Sequence, residues 1–194
     1  MITSKQDYHY YLRQDAIARG IDSKSLIKKI KEYLSPNPTW KFQRRLRKLE
    51  YFINCKKGLI SRIYILFLRK RFSSLSQRLG FSIAPNVFGP GLCILHYGTI
   101  VVHNNARIGK NCRVEVCVNI GASGGTPNAP QIGDNVYIAP GVKIYGDITI
   151  GNNIAIAANS SVNKSFTEDG ILLAGSPAKR IKEINIKRII KHIP

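Results

Sequence analysis

IGDNVYIAPGVKIYGDITIGNNIAIAANSSV, residues 132–162, decides how this chain folds. Ile132, Ile138, Ile144, Ile150, Ile156 and Val162 recur every six residues without a miss, and Val102, Ile108, Val114 and Ile120 keep the same register upstream. Four residues after many of these comes a second small or branched side chain: Ala106, Cys112, Val118, Val136, Val142, Ile148, Ile154 and Ser160. The position just after the first apolar residue is often small, as at Gly109, Gly121, Gly133, Ala139, Gly151 and Ala157. A helix repeats about every 3.6 residues and a strand every two, so a period of six suits strands. Sustained, it means short strands between tight corners, each aiming one branched side chain at a common axis. Three hexads per turn close a triangular prism. An alternating sandwich would need irregular turns about every 8–12 residues, and the sequence lacks them.

The hexad lapses once. Gly121 to Gln131 holds two consecutive glycines and two prolines but no core residues. It reads as a loop thrown out of the prism, and exposed loops on rigid scaffolds often carry function. Upstream, residues 81–106 contain no charged side chain, yet Pro85, Gly89, Pro90, Gly91 and Gly98 break any helix there. No apolar run reaches the roughly 18 residues of a membrane span. Before Gly80 the pattern is helical. Ser4 to Ala18 makes a first helix, Ile21-Asp22-Ser23 caps a second over Lys24 to Leu34, and Ser35-Pro36-Asn37-Pro38 breaks the chain. Lys41 to Asn54 and Leu59 to Leu79 form two further basic helices. The expected organisation is a basic helical region over 1–80, a repeat domain over 81–178 and a basic tail over 179–194.

With 194 residues, 44% apolar and 21% charged, the chain suits one domain with a core plus an appendage, and global disorder is excluded. Its charge is +19, from thirty Lys and Arg against eleven Asp and Glu. The first eighty residues carry nineteen of the basic and five of the acidic side chains. Such a chain expects anionic company: nucleic acid, membrane phosphates or a phosphorylated small molecule. Cys55, Cys93, Cys112 and Cys117 form no C-x-x-C pair. With no secretory signal ahead of them, reduced thiols in the cytoplasm are the default.

The repeat, together with GPGLCILHYGTIVVHNNARIGKN, NIGASGG and the closing AGSPAKRI, resembles the hexapeptide-repeat acyltransferases, and within them the serine O-acetyltransferases. The resemblance covers roughly residues 81–182, with short gaps near Asn86 and in the loop. It implies a mainly β fold, a left-handed parallel β-helix assembled as a homotrimer. It also implies acetyl-CoA as acyl donor, no metal, and direct transfer to a hydroxyl. His96 falls on the family's catalytic histidine, where a neutral imidazole takes the hydroxyl proton. His96 also lies on the six-residue register, which allows a packed core histidine. Ala139, Ala157 and Ala158 fall where small residues let the pantetheine arm run along the coils. Pro177, Lys179 and Arg180 fall near the end of that groove, and Lys179 reads equally as a solvated charge.

Three departures bear on the acceptor. Leu95 and Ser82 stand where the family has aspartates, and the loop's substrate-holding histidine is replaced within Asn128-Ala129-Pro130. A zwitterion needs fixed charges at both ends. The sequence is accordingly similar to the branch that acetylates sugars of capsular or surface polysaccharide, which shares a basic region ending like Arg78-Leu79-Gly80-Phe81. A glycan hydroxyl is the expected acceptor, and free serine of cysteine biosynthesis the alternative. Tyr97, Asn104, Asn119, Ser123 and Asn128 are candidate acceptor contacts. Glu115, the one carboxylate of the early coils, either orients His96 or is an exposed edge charge. The apolar stretch Leu59 to Leu68, followed by Arg69-Lys70-Arg71, suits packing on the trimer or lying on the anionic inner face of a membrane. Nucleic-acid binding is disfavoured because no recognition motif accompanies the basic residues. A structural trimer without activity is the remaining reading.

Overall fold

The computed structural model describes residues 1–21 and 37–193. The second helix expected over 24–34 lies outside the described residues. Helix α1 (Lys5–Ala18) begins where the Ser4 side chain accepts the Asp7 amide. Helix α2 (Pro38–Cys55) starts three residues before Lys41. Asn37 caps it by accepting the Thr39 and Trp40 amides, and Pro38, whose fixed φ suits a first helical position, opens the helix ahead of the expected start. Helix α3 (Leu59–Leu79) covers its expected span and stops at Gly80, at φ 75°. No helix among the described residues is long and apolar enough to cross a membrane.

The repeat folds into three flat faces. The first stacks β1 (Phe81–Ile83), β2 (Ile100–Val102), β5 (Val118–Gly121), β8 (Lys143–Tyr145) and β11 (Ser161–Val162). The second stacks β3 (Arg107–Ile108), β6 (Gln131–Ile132) and β9 (Thr149–Ile150). The third stacks β4 (Arg113–Val114), β7 (Tyr137–Ile138), β10 (Ala155–Ile156) and β12 (Ile171–Gly175), with β13 (Ala178–Glu183) added antiparallel at its edge. All other pairings between these strands are parallel. Partners such as Lys143 and Ser161, or Gln131 and Thr149, stand 18 residues apart, which is three hexads per coil. Across the loop the step is 24 on every face, from Asn119 to Lys143, Arg107 to Gln131 and Arg113 to Tyr137.

The ten hexad residues from Val102 to Val162 are all buried, and so are the eight that follow them by four. Each buried isoleucine contributes about 1.5–3 kcal/mol relative to exposure. One corner is built from asparagines. Asn111, Asn135 and Asn153 lie at φ 55°, 58° and 57°, and each donates its side-chain amide to the next, Asn111 to Asn135 and Asn135 to Asn153, at 2.9 Å. Asparagine tolerates this left-handed conformation, and the stacked amides satisfy each other. At the neighbouring Gly133, a Cβ would come within 2.8 Å of the Gly151 carbonyl oxygen, so the coils approach closely there.

The helices share the prism's core: Phe42, Leu46, Leu49, Phe72, Leu75 and Leu79 pack in one cluster with Phe81, Phe88, Leu92 and Ile94. A buried ionic network crosses the same junction. Arg47 contacts Asp15 at 2.8 Å and Glu50 at 3.0 Å, with all three side chains essentially inaccessible. Its guanidinium also donates to the carbonyls of Phe88 and Gly89. Asp15 accepts the amides of Gly91 and Leu92, and Glu50 accepts the Asn86 amide. Burial alone would lower the Arg47 pKa, but the charges of Asp15 and then Glu50 outweigh it and hold the guanidinium above its ordinary value.

Candidate active site

The segment that carries His96 is held from outside the prism. Gln43, fully buried, donates to the Leu92 carbonyl at 2.5 Å and accepts the Ile94 amide at 3.2 Å. Arg19 donates to the Ile94 carbonyl and Thr39 to that of Leu95, the latter at 3.5 Å. Cys93 pairs with Arg113 and Ile100 with Val118. The upper coil therefore spends two more residues on this corner than the coil below, and the excess bulges outward. Ile94, wholly buried, keeps the core position, and His96 is exposed. The packed-histidine reading of its register is thereby corrected. Among the described residues no hydrogen bond orients the His96 ring.

Below this bulge the corner repeats in register. Glu115 donates its amide to the Ile138 carbonyl, Ala139 to Ile156 and Ala157 to Leu173, so Glu115, Ala139 and Ala157 form one column. Ala139 is buried, Ala157 half-buried and Ala158 exposed. Successive coils lie about 4.8 Å apart, which puts Ala157 and Ala158 about 14 Å along the edge from the His96 corner. Only Ala157 and Ala158 of this set present small side chains to solvent on that edge, Ala139 being covered. Pro177 and Lys179 are exposed beyond it. Arg180 is engaged by Glu168 at 2.9 Å and 3.0 Å, with Glu183 at 3.5 Å.

Glu115 is buried, not an exposed edge charge. Its carboxylate accepts from Arg113 at 2.8 Å, and the Arg113 guanidinium lies 5.4 Å from the Tyr137 ring centre. Among the described residues it makes no hydrogen bond to His96. The acceptor candidates divide. Tyr97 is exposed beside His96, and Asn119 is exposed on the first face. Asn104, Ser123 and Asn128 are exposed at the far edge of that face, where the loop leaves the prism. Asn128 donates to Asp147 at 2.8 Å. One protomer thus presents His96 on one edge of its first face and the loop on the other. The sequence reading missed Gln43, Thr39, Arg19 and the Asp15–Arg47–Glu50 network. The usable signal was that Asp15 and Glu50 are two of only five acidic residues in an otherwise cationic region.

A family profile, bacterial transferase hexapeptide (six repeats), matches residues 129–164. Over 107 residues the chain is 36% identical to a serine acetyltransferase of Staphylococcus xylosus, covering 54% of this chain and 49% of that protein. A serine acetyltransferase of Neisseria gonorrhoeae superposes with a TM-score of 0.71 at 26% identity, covering 93% of this chain and 68% of that one. A Brucella abortus serine acetyltransferase in complex with coenzyme A gives a TM-score of 0.70 at 26% identity, covering 93% and 70%. The chain spans about half the length of the curated staphylococcal relatives it matches. It is similar to hexapeptide transferases of the serine acetyltransferase type. This overturns both the placement in a polysaccharide-modifying branch and the expected glycan acceptor. The expectation leaned in part on Ala129 as a vacated substrate position. Ala129 is buried where the loop returns to the prism, so its identity reflects packing.

Proposed function

We propose that this chain is an acetyl-CoA-dependent serine O-acetyltransferase with His96 as general base. The observation that carries this reading is that His96 stands exposed at the head of the edge bearing Ala139, Ala157 and Ala158. An acyl donor laid along that edge brings its thioester to the imidazole, with exposed Lys179 available to its phosphates. The similarity to a coenzyme A-bound relative supports the same donor. His96 takes the proton from the serine hydroxyl as that oxygen attacks the thioester carbonyl. The carbon–sulfur bond breaks, the ester carbon–oxygen bond forms, and the imidazolium returns its proton to the departing thiolate. Gln43 and Thr39 hold residues 92–95, and so limit the wandering of the bulge that bears the base.

A homotrimer of left-handed prisms fits this reading. His96 and the loop lie on opposite edges of one face, so a site using both is completed between neighbouring copies, with the loop's Asn128–Asp147 pair offering a carboxylate for the serine ammonium. Residues 1–80 then form the helical support, 81–178 the transferase domain and 179–194 the tail. The test is thiol release from acetyl-CoA with free serine. Serine turnover at a kcat/KM of about 10⁴ M⁻¹s⁻¹ or more is expected. His96→Ala should lower kcat by about two to four orders of magnitude with little change in coenzyme A affinity. Wild-type turnover in that variant would show that another group is the base.

A further inference from the structure

Catalysis leaves the outer face of α3 unexplained. Ile65, Leu68, Phe72, Leu75 and Leu79 turn toward the core. On the other side Leu59, Ile60, Ile63, Leu66 and Phe67 are between 48% and 85% exposed. Their spacing of three and four residues places them on one stripe of the helix. Contiguous exposed apolar stripes of this kind mark interaction sites in folded proteins. Cations bound the stripe. Lys56 and Lys57 precede it, Arg62 flanks it, and Arg69, Lys70 and Arg71 follow, all exposed. No acidic residue occurs between Glu50 and Glu115, and both of those are buried. The cations therefore have no acidic neighbours along this stretch of chain to neutralise them.

We propose that α3 lies on an anionic membrane surface, with the Leu59–Phe67 stripe in the boundary layer and the flanking Lys and Arg on lipid phosphates. A polyanion such as nucleic acid would match the cations but leave the five apolar side chains in water. A second copy of the same face would cover the apolar stripe but set cations against cations. A surface that is apolar beneath and anionic above satisfies both. The proposal is independent of the acceptor assigned above.

The test is co-sedimentation of the full chain with vesicles of phosphatidylcholine, or of phosphatidylcholine and phosphatidylglycerol in equal parts. Partitioning onto the anionic vesicles should be about tenfold or more stronger and should weaken in high salt. The double variant Ile63→Asp, Leu66→Asp should lose about tenfold or more of that binding while thiol-release activity persists. Replacing Arg69, Lys70 and Arg71 with Gln should remove most of the salt dependence. Equal binding to both vesicle types, or no binding, would overturn the proposal. So would wild-type binding by the Asp variant. A halved oligomer mass for that variant, without wild-type vesicle binding, would identify a second copy as the occupant.

Discussion

The first coil and the coils beneath it differ in how much outside support they take. From residue 100 onward each coil is secured by what it repeats: a branched side chain on the axis, a small residue at the corner, an asparagine bonded to the asparagine above. The first coil breaks these rules, with a corner two residues too long. It keeps its parallel pairing with the second coil and is fastened in addition by Asp15, Gln43, Arg47 and Glu50, reaching in from the helices. A repeat is therefore self-supporting where it is regular, and a departure from it needs outside support. The candidate base sits on the departure.

The contrast is broken most severely at Arg47. Arg47→Ala leaves Asp15 and Glu50 buried without a partner and should cost about 3–5 kcal/mol in urea unfolding. A loss under 1 kcal/mol would mean that the first coil stands without the network. A smaller loss is expected in the regular part. Asn135→Ala removes two ladder bonds and puts alanine at φ 58°, for about 1–3 kcal/mol. Asn135→Gly relieves the conformational part and should lose less; equal losses would assign the whole effect to the bonds.

Thiol chemistry sharpens the comparison further. Cys93 and Cys112 bridge the first and second coils inside the core, and burial pushes both thiols up. Their thiolate fractions near pH 8 are correspondingly small, so maleimide should label exposed Cys117 at least about tenfold faster than either. Fast labelling of Cys93 in the native protein would reveal opening of the first coil. Because these folded thiols hold their protons more tightly than unfolded ones, the stability they add is complete below the unfolded value. It is lost as pH rises past about 9.

The smallest effect belongs to the tail. His192 contacts Asn111 at 3.3 Å, and burial lowers its pKa from 6.5. The docked tail favours the neutral ring, so docking is fully stabilised above the unfolded value and weakens as pH falls below about 6.5. Hydrogen exchange over residues 186–193 should be faster at pH 5.5 than at pH 7.5 after correction for intrinsic rates. His192→Gln should remove the difference.

The sequence made the prism legible because each hexad reports on its own strand: Ile132 to Val162 need no distant partner to be read. The loop was visible as a lapse in that rhythm. The bulge was not, since Ile94 and His96 both permit a core position and only the pairing of Cys93 with Arg113 decides between them. The clasp was hidden for a similar reason. Asp15 and Arg47 meet across 32 residues of sequence and Asp15 and Leu92 across 77, and such pairings leave no local pattern. The start of α2 was placed three residues late because proline, which breaks a helix interior, also begins one.

The 24-residue step across the loop has a consequence for how such a molecule tolerates change. Every face crosses that coil with the same increment, so six extra residues are absorbed without turning any strand over. A change confined to the loop between Gly121 and Gln131 leaves the phase of every later strand as it was. Edits at the rim are thereby uncoupled from the rhythm of the shaft.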